Sequence, residues 1–158
     1  IVEVDPTVVR AAEQYFGYSG ATGHRMYVHD ARVFLRTTDA RYDVIWLDVF
    51  ARHLILFHLT TREFFSEVRS HLNPEGVLAV NLSSSGDGPA RQRANAGVAT
   101  LRTVFPVIEA FGVKGPWQTE QPDAENLIFF AGSPVTMIRQ PEFVARVADL
   151  VAQRRMPV

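Results

Sequence analysis

The sequence predicts an α/β fold with an open, mainly parallel sheet flanked by helices. Three observations carry that expectation. The chain begins with a short strand that runs straight into a capped helix, IVEVDPTVVRAAEQYFG. YDVIWLDVF is nearly continuous apolar from Val44 to Phe50, interrupted only by Asp48, the pattern of a strand buried on both faces of a parallel sheet. Strand-like and helix-like segments then alternate, as right-handed crossovers between parallel strands require.

Taken in order, Ile1 to Asp5 alternates apolar with acidic residues, and Val8, Val9, Ala12, Tyr15 and Phe16 recur at helical spacing up to Gly17. Asp5 can cap that helix, Pro6 suits its first position, and Gly17 can take the left-handed stop. Arg25 to His29 forms a short strand, and ARVFLRT a helical turn that packs Val33, Phe34 and Leu35. After the Val44–Phe50 strand, LTTREFFSEVRSHLNPEG predicts a helix with a Thr60/Glu63 capping box and a Leu59–Phe64 staple. Phe64, Phe65, Val68 and Leu72 make its buried stripe, and Asn73-Pro74 with Gly76 ends it. Val77 to Leu82 is the next buried strand. Ser83 to Pro89 is a polar loop, Ala90 to Val104 a helix, and Val107 to Phe111 a short strand. Gly115 to Asn126 reads as a long polar connection and Leu127 to Gly132 as the last strand. Phe143, Val147, Leu150 and Val151 mark a closing amphipathic helix from Glu142 to Arg155.

The 158 residues are read as a single, partial nucleotide-binding α/β domain covering 1–158. Hydrophobic residues make up 47% and charged residues 21%, which indicates neither disorder nor a fibrous class. A net charge of −1 with no basic face argues against nucleic acid as a partner. No cysteine is present, so disulfides and thiolate metal sites are excluded and a cytoplasmic location is the expectation. No apolar run is long enough to span a bilayer, so no membrane contact is expected of this segment.

Three acids fall at or near three strand ends: Glu3, Asp30 and Asp48. Ligands of open α/β sheets bind beyond the carboxyl ends of the strands, so one crevice could receive all three. An acid after a nucleotide-binding strand can accept hydrogen bonds from both ribose hydroxyls, a role that Glu3 fits. Asp30 could accept from an adenine amine while the Ala31 N–H donates to a ring nitrogen. Asp48, flanked by apolar residues, would be buried and face the reacting end of the ligand. The bland alternatives stay open: Glu3 as a solvated strand residue, Asp30 as the cap of the turn that starts at Ala31, and Asp5 as a helix cap. Trp46 is read as core, and Trp117 is assigned no role.

VEVD, HDARVFL, YDVIWLD and LNPEGVLAVN, in that order, resemble the spermidine synthase family, whose Rossmann-like fold is shared with class I S-adenosylmethionine-dependent methyltransferases. The resemblance implies that Glu3 binds the ribose of decarboxylated S-adenosylmethionine, Asp30 with Ala31 the adenine, and that Asp48 lies beside the amine and the sulfonium. It implies a small amine as the second substrate and no metal. His53 and His58 could touch a substrate, but their spacing is no metal signature.

Two departures from the family stand out. Family members that use putrescine carry a second acid three residues after the strand-end Asp, where this chain has Ala51. Both families also begin the fold with a central strand and a glycine-rich loop, which these residues do not supply. The chain is therefore read as the C-terminal part of a longer protein, its sheet lacking that first strand and loop. Three functions follow as expectations: aminopropyl transfer from decarboxylated S-adenosylmethionine to an amine, methyl transfer from S-adenosylmethionine, or a noncatalytic nucleotide-binding or interaction domain able to form a homodimer.

Overall fold

The computed structural model describes residues 1–18, 23–48, 56–85, 89–113 and 124–132, together with positions 141 and 145. These residues group into two compact units, Ile1–Ala40 and Arg41–Val158.

In the first unit, strand β1 (Val2–Glu3) leads into helix α1 (Pro6–Tyr15), and strand β2 (Tyr27–Val28) into helix α2 (Ala31–Thr37). The start of α1 is as expected: the Asp5 carboxylate accepts from the Thr7 N–H at 2.7 Å, and Pro6 occupies the first turn. Gly17, at φ +66°, turns the chain so that the Tyr18 N–H reaches back to the Ala12 carbonyl. β1 and β2 pair in parallel, Val2 with Tyr27 and Glu3 with Val28. Tyr27 also packs on Phe34 of α2, with ring centroids 4.9 Å apart. Leu35 is the buried hydrophobic side chain among the described residues of this unit.

The second unit holds a four-stranded sheet in the order β3-β4-β6-β5. Its strands are β3 (Tyr42–Leu47), β4 (Leu72–Ser85), β5 (Ile108–Val113) and β6 (Ala124–Ala131). A 3-10 turn at Phe57–Leu59 and helix α3 (Arg62–Ser70) lie between β3 and β4, and helix α4 (Pro89–Arg102) between β4 and β5. The β3–β4 pair is parallel, whereas β6 runs antiparallel to both β4 and β5. The sheet is thus mixed, parallel at β3–β4 and antiparallel across β4-β6-β5. Leu47, Val80 and Phe129 are in register on one face, with Leu78 beside Ala131, and all are buried. Phe64, Phe65 and Val68 of α3 and Ala94 and Leu101 of α4 add to the core. Among the described residues no helix is long and apolar enough to cross a membrane.

Several expectations are corrected. β3 is an edge strand rather than one buried on both faces: Val44 is 61% and Trp46 55% exposed, so Trp46 is not core. Helix α3 is capped by Thr61, whose hydroxyl accepts from the Phe64 N–H at 3.2 Å. Thr60 cannot serve there, because it closes the preceding 3-10 turn and donates its hydroxyl to the Phe57 carbonyl. Asn73-Pro74-Glu75-Gly76 does not end the helix but forms a bulge inside β4. Tyr42 pairs with Leu72 and Val44 with Val77, so Asp43 alone opposes these four residues. The Asn73 side-chain amide donates to the Asp43 carboxylate at 2.7 Å across the bulge. β4 therefore starts five residues before the expected Val77. Apart from position 145, the expected tail helix from Glu142 to Arg155 lies outside the described residues, as does most of the polar connection before β6.

Candidate functional site

Within the first unit, the parallel β1–β2 pair puts Glu3 and Asp30 at the same, carboxyl end. Glu3 is in register with Val28, and the His29 N–H donates to the Glu3 carbonyl at 3.0 Å, one residue before Asp30. The Glu3 carboxylate, half-buried, accepts from the Asp5 N–H at 2.8 Å through Oε1. That bond holds the side chain against the β1–α1 turn. Asp30 is the N-cap of α2: its Oδ1 accepts from the N–H of Arg32 at 2.9 Å and of Val33 at 3.0 Å. Ala31 is the first residue of that helix, where backbone N–H groups have no partner one turn earlier. The capping role weighed for Asp30 is thus real, and it fixes the carboxyl group beside the Ala31 backbone.

Asp48 belongs to the second unit. It directly follows β3, at the strand's carboxyl end, and it is exposed rather than buried, because it follows an edge strand whose Val44–Trp46 face is open. On the neighbouring strand β4, Asn81 donates from Nδ2 to the Asp48 Oδ1 at 3.1 Å. Asn81 Oδ1 is buried without a hydrogen-bond partner among the described residues. An unsatisfied buried acceptor costs about 1–3 kcal/mol, so this amide carries a local penalty for its orientation. Sequence reasoning passed over Asn81. The signal was present: it is the polar interruption of the apolar run Val77–Leu82, as Asp48 is of Val44–Phe50.

The remaining candidates contribute less. His58 sits half-buried in the 3-10 turn, whereas Ala51, His53 and Trp117 lie outside the described residues. Among the described residues no three His, Asp or Glu side chains gather in a group that could hold a metal ion.

Residues 1–85 match the spermine/spermidine synthase domain, a span that includes Glu3, Asp30, Ala31, Asp48 and Asn81. The chain belongs to the spermine/spermidine synthase family. It is 40% identical over 108 residues to a polyamine aminopropyltransferase of Vibrio vulnificus, covering 66% of this chain and 34% of that protein. It is 32% identical over 145 residues to an N-terminal histidine N-methyltransferase of Emericella nidulans, covering 86% of this chain and 25% of that protein. The chain thus spans about a third or less of these relatives. Its fold is that of a probable spermidine synthase from Corynebacterium glutamicum, with TM-score 0.73 and 26% identity over 95% of this chain and 53% of that one. Human methyltransferase-like protein 13, solved in complex with SAH, shares the same fold at TM-score 0.76 and 23% identity, over 99% of this chain and 71% of that one. Family membership and these neighbours together establish the class I methyltransferase and spermidine synthase fold, and the relatives are transferases.

Proposed function

We propose that the chain is the nucleoside-binding and amine-facing part of an aminopropyltransferase that uses decarboxylated S-adenosylmethionine. The observation that carries this reading is the position of Asp48, at the carboxyl end of a parallel strand inside the segment that matches the synthase domain. Glu3 accepts from the ribose hydroxyls, while Asp30 and the Ala31 N–H take the adenine. The acceptor is a small amine.

The chemistry asks little of the protein beyond placement and charge. The amine nitrogen attacks the carbon next to the sulfonium, a C–N bond forms, the C–S bond breaks, and its electron pair neutralises the sulfur as methylthioadenosine leaves. The amine gives up one proton. Free amines have pKa values of about 10, so most arrive as ammonium and must lose a proton before attack. A carboxylate at Asp48 attracts the ammonium, orients it and helps to take that proton, and positioning supplies much of the remaining rate. No step calls for a metal ion.

A second reading, methyl transfer from S-adenosylmethionine, is supported by the match to a histidine N-methyltransferase at 32% identity over 86% of this chain, level with the 32% over 84% shared with a probable polyamine aminopropyl transferase of Bifidobacterium longum. Thermal-shift measurements with methylthioadenosine, S-adenosylmethionine and its decarboxylated form separate the two. We expect the decarboxylated form to give the larger shift and to yield methylthioadenosine when an amine is added. Preference for S-adenosylmethionine with methylated product would replace the first reading by the second.

A further inference from the structure

We infer that Asn81 is a positioning residue for Asp48, an inference that rests on reading Asp48 as the amine-facing acid. The pairing of Trp46 with Ala79 and Leu47 with Val80, carried one residue further, brings Asp48 alongside Asn81. Asn81 donates from Nδ2 to Asp48 Oδ1 at 3.1 Å, while its own Oδ1 is buried without a partner among the described residues. An ionised carboxylate only accepts hydrogen bonds, so turning this amide by half a turn would set two oxygens against each other. Asp48 therefore fixes which way the amide faces. The amide in turn ties an exposed carboxylate, one residue beyond the β3 ladder, to the interior strand of the sheet. Without that tie the carboxylate would be free to take other staggered rotamers at the strand end. With it, one oxygen is held at a fixed place at the mouth of the β3–β4 pair, which is what an acid that orients an amine requires.

The test uses the full-length protein. In amide-resolved NMR, the side-chain NH₂ protons of Asn81 should move upfield in Asp48→Ala, as the hydrogen bond is lost. With decarboxylated S-adenosylmethionine and an amine, Asn81→Ala should lower kcat about tenfold, with KM for the nucleoside unchanged. Asn81→Leu keeps the volume without the donor and should reproduce that loss. The double variant Asp48→Ala/Asn81→Ala should lose no more than Asp48→Ala alone. Asn81 protons that stay in place in Asp48→Ala, or losses that multiply in the double variant, overturn the inference. If the unsubstituted protein transfers no group, the reading of its function fails, and the Asn81 resonances still decide whether the two side chains are coupled.

Discussion

The carbonyl oxygen of Gly76, in the β4 bulge, stands 2.7 Å from the place where a side chain on Gly132 would begin. Gly132 directly follows β6 at φ +147°, and its N–H donates to the Val107 carbonyl at 3.2 Å. Three strands therefore close on one another through backbone alone. A Cβ on Gly76 would in turn meet the Tyr42 carbonyl oxygen at 2.9 Å. Gly132→Ala should thus destabilise the second unit by about 1–3 kcal/mol, from the backbone conformation and the collision combined. Chemical denaturation of the variant and the parent protein measures the difference.

The corrected cap of α3 makes a paired prediction. Thr61→Ala removes the acceptor of the Phe64 N–H and should cost about 1 kcal/mol. Thr60→Ala removes only an exposed hydroxyl bond to Phe57 and should cost distinctly less. Equal losses in thermal unfolding would restore Thr60 as a cap of comparable weight.

The first unit offers a test by pH. The Thr7 N–H, donating to Asp5, holds that carboxyl below its ordinary range, and the Arg10 charge adds to the effect. A carboxyl whose folded value is depressed contributes stability that is fully present above the unfolded value, about 3.9, and is lost as pH falls through the folded one. The difference in thermal midpoint between the parent protein and Asp5→Ala should therefore be constant near neutrality and shrink below about pH 4. A difference that grows on acidification would contradict this assignment.

How much was legible in the sequence depended on whether local chemistry settled the matter. Asp5-Pro6 and Gly17 act within a few residues of one another, and the start and stop of α1 followed directly. The stripe of Phe64, Phe65 and Val68 was likewise set by helical spacing against a core, and all three are buried, whereas Leu72, assigned to the same stripe, is buried as the first residue of β4. β3 failed differently. An apolar run reports the affinity of a strand for burial, not whether a neighbour covers it, so the exposure of Val44, Trp46 and Asp48 could not be read from composition. The bulge at Asn73–Gly76 was hidden because Asn, Pro and Gly signal a helix stop and a strand irregularity equally well. At the site, the acids at the strand ends were legible as breaks in apolar runs, whereas the Asp48–Asn81 bond depends on a cross-strand register that the β4 bulge sets.

Glu3 separates binding from structure. Its carboxylate accepts from the Asp5 N–H, and Gln retains an oxygen for that bond while removing the charge that favours two ribose hydroxyls. Glu3→Gln should leave thermal stability within about 0.5 kcal/mol and weaken methylthioadenosine binding about tenfold, as titration calorimetry would report. Unchanged affinity would assign Glu3 to the turn alone.

Asp48 carries the sharpest prediction, because exposure removes the usual structural reason for keeping a carboxylate at that place. Asp48→Asn preserves shape and an oxygen able to accept from Asn81, so the β3–β4 pairing and the thermal midpoint should hardly change. What disappears is the negative charge that attracts an ammonium and the base that takes its proton. In the full-length protein, kcat for aminopropyl transfer should fall about 10²- to 10⁴-fold, the range of general-base contributions, while methylthioadenosine binding stays intact. The loss should also ease as pH rises toward the pKa of the amine, since more acceptor then arrives neutral and needs no base. Turnover by Asp48→Asn equal to that of the parent protein at pH 7 would show that the acid at the end of β3 takes no part in the reaction.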